Sequence, residues 1–158
     1  MTEIARIIDQ LQRAYDGNPW YGPSLTSVLQ DVTPEKAAAQ PGAGVHSIWE
    51  LVAHVAAWQE IAVRRLSGEI VKDVPESVNF PPVKQKDAAG WQKTLAGLAS
   101  SHIRLMEVIR KLDDSKLDQN LPGEKYNVYF LVHAEIQHNI YHTGQIALLK
   151  KMNLEHRS

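Results

Sequence analysis

The chain has no cysteine among its 158 residues. That excludes a disulfide scaffold and a protein thiol nucleophile. Any metal site must then be built from His, carboxylate or water. A surplus of positive charge is also missing: Lys plus Arg is 17 against 18 Asp plus Glu, a net charge of −1. Nucleic-acid binders carry a basic face, and anionic lipid attracts basic clusters; neither is present. No stretch approaches the roughly 20 apolar residues needed to span a bilayer. The opening MTEIARIIDQ mixes charges into its apolar residues, so it does not read as a secretory signal. A cytosolic location is the expectation left by the absence of any address. No long period-two alternation proposes a sheet, and glycine loops for phosphate or dinucleotide and the G-x-S-x-G elbow are all lacking.

What is present is helical periodicity. Ile4, Ile7, Ile8 and Leu11 place a first helix over about Thr2–Asp16. Gly17, Pro19, Gly22 and Pro23 break it, and a short continuation follows through Leu25, Val28 and Leu29. Pro34, Pro41, Gly42 and Gly44 mark a loop. Ser47 and Glu50 form an S-x-x-E capping box that opens a second helix running to Leu66, with Gly68 as its stop. Residues 69 to about 86 make a connection long enough to suggest a functional role. Asp87 can cap a third helix with the stripe Trp91, Leu95, Leu98, His102, Leu105, Ile109 and Leu112. A fourth helix runs from about Asn127 to Met152. The expected fold is all-α, a four-helix bundle in one domain spanning 1–158, with a long loop between helices 2 and 3.

Chemistry concentrates in the histidines. His138 and His142 are four residues apart, on the helix face that also carries Leu131 and Leu149. Both imidazoles therefore point inward, about one turn apart, and can share an ion. His54 lies in the apolar stripe of the second helix with Leu51, Val55, Trp58 and Ala62, so a crossing helix could bring it to the same ion. Three histidines leave a coordination position open, the pattern of a catalytic site. His102 faces the core and is expected to be a hydrogen-bonded core residue. His46 reads as a loop residue, and His133 and His156 as surface. Glu135 and His138 form E-x-x-H, but the second helix offers Glu50 and His54 four apart, so a di-iron set is incomplete. Glu135 and Glu50 are candidate general bases by helical phase. Trp58, one turn beyond His54, could wall a pocket, although packing is its simpler role. A metal-free structural bundle also remains open on these residues alone.

Four segments together resemble the DinB-like superfamily of bacterial four-helix-bundle proteins: YDGNPWYGPSL (15–25), HSIWELVAHVAAW (46–58), NFPPV (79–83) and HNIYHTGQIALLKK (138–151). The likeness covers nearly the whole chain, and the last segment is the most specific. The resemblance implies a divalent metal ion, nickel or zinc, on one histidine of the second helix and two of the fourth. These match His54, His138 and His142. It implies that His102 is not a ligand, and that the protein forms a homodimer. It also implies activity as a thiol S-transferase using a low-molecular-weight thiol such as bacillithiol or mycothiol, as a mycothiol-dependent isomerase, or as a metal-dependent hydrolase. The alternative is a non-catalytic metal-binding stress-response or dimerisation module.

Overall fold

The computed structural model describes the backbone of residues 1–155 and the side chains of residues 1–152; His156 lies outside the described residues. Among them the chain forms α1 (Glu3–Tyr15), α2 (Leu25–Leu29), α3 (Pro34–Ala38), α4 (Ile48–Leu66), α5 (Glu76–Asn79), α6 (Ala88–Arg110) and α7 (Val128–Glu155). A single 3-10 turn spans Asp114–Lys116, and no strand forms among the described residues. The architecture is all-α. The four long helices α1, α4, α6 and α7 are those expected from periodicity.

Their ends follow from local chemistry. Thr2 caps α1 by accepting from Ala5 N, and Asp87 caps α6 by accepting from Gly90 N. The capping box of α4 is complete, with Ser47 and Glu50 each accepting from the other's backbone N–H. Gly68 then ends that helix at φ +92°, a conformation glycine adopts without steric cost. One expectation needs correction. Pro34 does not sit in a loop but at the first position of α3, whose Thr33 cap accepts from Lys36 N. Proline fits there because the first helical N–H has no partner to lose. The long 69–86 connection also contains a one-turn helix, α5.

Each long helix packs on two others: α4 on α6 and α7, and α1 on the same pair. Two apolar clusters fill the interior. One joins Leu51, Val52 and Val55 of α4 to Ile146 and Leu149 of α7; the other joins Ala62 to Val128, Leu131 and Val132. The early part of α4 thus meets the late part of α7, so the two run antiparallel. Between the clusters lies a polar layer. There Ser101 Oγ donates to Gln59 Oε1 at 2.6 Å, and Gln59 reaches Asn139 Oδ1 at 3.4 Å. His54, His138 and His142 stand at the same level.

Candidate metal centre

Antiparallel packing of α4 on α7 carries His54 to the His138/His142 pair. The Nε2 atoms of His54 and His142 each lie 3.0 Å from Nε2 of His138. One ligand atom from each ring falls within 4.8 Å of the other two. Two nitrogens bound about 2 Å from one tetrahedral ion stand ~3.3 Å apart, so the spacing suits a shared cation. His54 and His142 are buried and His138 is half-buried.

The outer nitrogens of two rings are anchored. His54 Nδ1 is 2.7 Å from the carbonyl of Asn79, and His142 Nδ1 is 2.6 Å from Oε1 of Gln145. Both partners are acceptors, so both Nδ1 atoms carry the proton, and both Nε2 atoms are left as lone pairs. His138 can supply one N–H to two lone pairs. Hydrogen bonding within the protein therefore leaves the three-nitrogen cluster short of positive charge at its centre. A divalent cation satisfies all three at once, and the residues fit the ion. The electrostatics agree. Burial pushes the His138 imidazole down to about 3, reinforced by its histidine neighbours, and that of His142 down to about 4. His54 is lowered too, chiefly by burial, against the opposing pull of the Asn79 carbonyl. All three are neutral near pH 7, the state in which imidazole binds metal.

The long connection supplies part of this arrangement. Asn79 ends α5, and its side-chain oxygen accepts from Trp58 Nε1 at 2.9 Å. Phe80 stacks on His54 with ring centres 4.2 Å apart, and His46 stacks on the other side of Phe80 at 3.7 Å. This layered His46–Phe80–His54 stack fixes the plane of the ligand ring. Neither Asn79 nor Phe80 was a candidate from sequence, although both open the NFPPV segment.

A cavity of about 480 Å³ opens onto the triad, walled by residues that include Trp58, Arg65, Tyr126, Phe130, Glu135 and Tyr141. That size suits a small organic molecule. Arg65 also escaped the sequence reading, though it continues the spacing 51, 55, 58, 62, 65 on the inward face of α4. Its guanidinium donates to the Tyr126 hydroxyl and the Val71 carbonyl, each at 2.9 Å, and pairs with Glu124 at 3.2 Å. Glu135 is buried with Oε2 lacking a protein partner, and burial pushes its carboxyl up to about 8 against the pull of Arg65.

The other candidates fall elsewhere. Glu50 is committed to the capping box, accepting from Ser47 N at 2.7 Å, so it is withdrawn as a base. His102 is buried as expected, but neither ring nitrogen has a protein partner; its ring stacks on Tyr15 at 3.7 Å instead. His133 is half-buried rather than on the surface, with Nδ1 3.0 Å from the Tyr129 carbonyl and away from the triad.

Residues 23–146, a span that includes all three histidines, match the sequence profile of the DinB superfamily. The chain belongs to the DinB superfamily. No curated protein matches the chain significantly. The matched span covers α4 and the His138/His142 part of α7, and these three histidines form a cluster able to hold a metal ion. Among the described residues, no helix of this DinB protein is long and apolar enough to cross a membrane.

Proposed function

We propose that this DinB protein is a metal-dependent enzyme acting on a small organic molecule. In this reading His54, His138 and His142 hold one divalent ion, zinc or nickel, and the attacking group is a low-molecular-weight thiol or water. The observation that carries it is the convergence of three Nε2 nitrogens at the head of a cavity. A closed structural site would spend a fourth protein ligand instead. The ion supplies Lewis-acid chemistry, making the proton of a thiol or of water easier to remove.

The protein's own residues do the rest. Asn79 and Gln145 hold the Nδ1–H bonds of His54 and His142, which keeps both Nε2 atoms turned inward. Phe80 fixes the tilt of His54. Trp58 and Leu131 line the cavity beside the histidines. Glu135 brings to the cavity a carboxyl able to accept or return a proton. No cysteine is available, so a thiolate must come from a cosubstrate.

Elemental analysis of the purified protein tests the ligand set. Wild type should hold about one divalent ion per chain, and His142→Ala should lose most of it while staying helical. The fold survives because apolar burial, not the ion, supplies most of the stability. Melting temperature should fall with the ion, since a ligand bound only to the folded state stabilises it by mass action. His156→Ala should change neither. Full occupancy in the His142 variant after dialysis would show the ligand set to be wrong. Turnover is read by offering metal-loaded protein a panel of thiols with electrophiles, and esters or amides with water alone. Silence across the panel favours the non-catalytic metal-binding module.

A further inference from the structure

Two of the three clustered histidines have an acceptor for the ring nitrogen that faces away from the cluster, and His138 has none. The Asn79 carbonyl holds His54 Nδ1 and Gln145 Oε1 holds His142 Nδ1, but His138 Nδ1 is buried with no protein partner. The helix does not supply one. His133 turns its Nδ1 to the carbonyl four residues back, that of Tyr129, at 3.0 Å, and His138 makes no such bond to Ala134. The gap matters under the metal reading above, on which this inference rests. A neutral imidazole carries one proton. With an ion on Nε2 that proton sits on Nδ1, and the ring becomes a buried donor in need of an acceptor.

The cavity wall holds a matching acceptor. Glu135 stands three residues before His138 on α7, a spacing that makes their side chains neighbours on the helix surface. It is 4% exposed, and its Oε2 has no partner. A third such group lies on the same wall. Arg65 spends its two terminal nitrogens on Tyr126, Val71 and Glu124, and leaves Nε buried and unbonded. It is near enough to Glu135 for its charge to oppose the rise that burial imposes on the carboxyl. A donor, an acceptor and a second donor thus border one cavity, each without a bond. Each unmet group costs free energy, and the three are complementary. Among the described residues, the other buried side-chain atom of α7 left without a partner is Asn139 Nδ2, a donor that cannot serve His138.

We propose that Glu135 is the positioning residue for His138: with an ion on Nε2, the Glu135 carboxyl accepts the Nδ1–H of His138 on one oxygen and the Nε–H of Arg65 on the other. The movement falls to Glu135, since Arg65 is pinned by its terminal nitrogens and His138 by its place in the cluster. An acceptor behind a ligand ring fixes both its tautomer and its tilt, as Asn79 and Gln145 do for the other two. A carboxyl has acceptor sites to spare on its two oxygens, so the same group still faces the cavity.

Zinc affinity of the full-length protein, read by competition with a chelator, tests this. Glu135→Leu removes the acceptor and keeps the volume apolar. It should bind zinc about 10–100-fold more weakly than wild type. Glu135→Gln keeps an acceptor oxygen, as Gln145 offers to His142, and should restore most of that affinity. Stripped of metal, the Leu variant should melt no lower than wild type, because an unpartnered buried carboxyl has been replaced by an apolar group. A lower metal-free melting temperature is what a merely structural residue would show, and it would overturn the proposal. So would a Leu variant that holds zinc as tightly as wild type, or a Gln variant as weak as the Leu variant. If the Leu variant does not fold, the His138 Nδ1 proton decides, observed by NMR in zinc-loaded wild type and Gln variant with nitrogen-labelled histidine. Its resonance should move as the acceptor changes from carboxyl to amide, and an identical position in both would overturn the proposal. A wild type that binds no zinc would overturn the metal reading itself, and this inference with it.

Discussion

His102 differs from the three clustered histidines in what its buried nitrogens meet. It is 3% exposed, its ring is stacked on Tyr15, and neither nitrogen finds a protein partner. An unsatisfied buried polar group costs roughly 1–3 kcal/mol. Burial lowers its imidazole to about 4, with the charge of Asp16 opposing and that of Arg110 adding. The sign follows from linkage. The unfolded chain takes up the proton near pH 6.5 and the folded one only near 4, so acid favours unfolding across that window. Stability tied to His102 is complete above about pH 6.5 and is lost as pH falls, by up to about 3 kcal/mol. His102→Phe keeps the ring stack and removes both nitrogens. It should be more stable than wild type by ~1 kcal/mol at pH 7, with a wider gap at pH 5 and the same metal content. Urea melts at the two pH values decide it. A variant weaker than wild type at both would mean that the nitrogens have partners worth more than their desolvation.

Among the helices, the start of α6 reverses an ordinary rule. Glycine inside a helix usually costs about 0.5–1 kcal/mol relative to alanine. At Gly90, however, an added Cβ would lie 2.1 Å from the carbonyl oxygen of Gln85, because the chain turns back sharply at the Asp87 cap. Gly97, two turns on, has nothing within 4 Å of the same position. Gly97→Ala should therefore stabilise the protein by roughly 0.5–1 kcal/mol. Gly90→Ala should destabilise it by about 1–3 kcal/mol, since backbone rather than a flexible side chain must move. Paired thermal melts read both signs in one experiment, and a stabilised Gly90→Ala variant would refute the close approach. The caps themselves were legible in sequence. Ser47 with Glu50, and Asp87, are local patterns whose partners sit three residues away, so no tertiary information was needed to find them. Pro34 was misread because a proline marks a helix start as readily as a loop, and a five-residue helix shows too little periodicity to decide.

For the molecule as a whole, the open matter is what covers its remaining apolar surface. Val132, Ile136, Ile140 and Ala147 suggested a second apolar side of α7 left for another copy. Val132 is in fact fully buried in the bundle, and the other three are half-buried. Toward the later part of α7, Leu148 is 60% exposed and Val45 beside it 49%. A homodimer is expected to form through this region, with a dimer mass in light scattering at micromolar concentration. Leu148→Glu should shift the mass to that of a monomer and leave metal content unchanged, since the residue lies outside the triad. A monomeric wild type at that concentration would dismiss the dimer.

The sequence by itself determined the four long helices, where α4 and α6 begin, and that His138 and His142 share one face. Each of these depends on spacings of three, four or seven residues, which the geometry of a single helix dictates. It also pointed to His54, because a histidine in an apolar stripe requires a partner. Only the tertiary structure decided that His54 Nε2 lies 3.0 Å from His138, since that distance depends on α4 and α7 packing antiparallel at one level. The same holds for Asn79, Phe80 and Arg65. They come from a loop and from the far end of a helix, and their roles appear only where separate segments meet. Glu50 and Glu135 make the contrast plain. Both were candidates by helical phase, yet one closes a cap and the other lines the cavity, because phase gives a direction and not a neighbour.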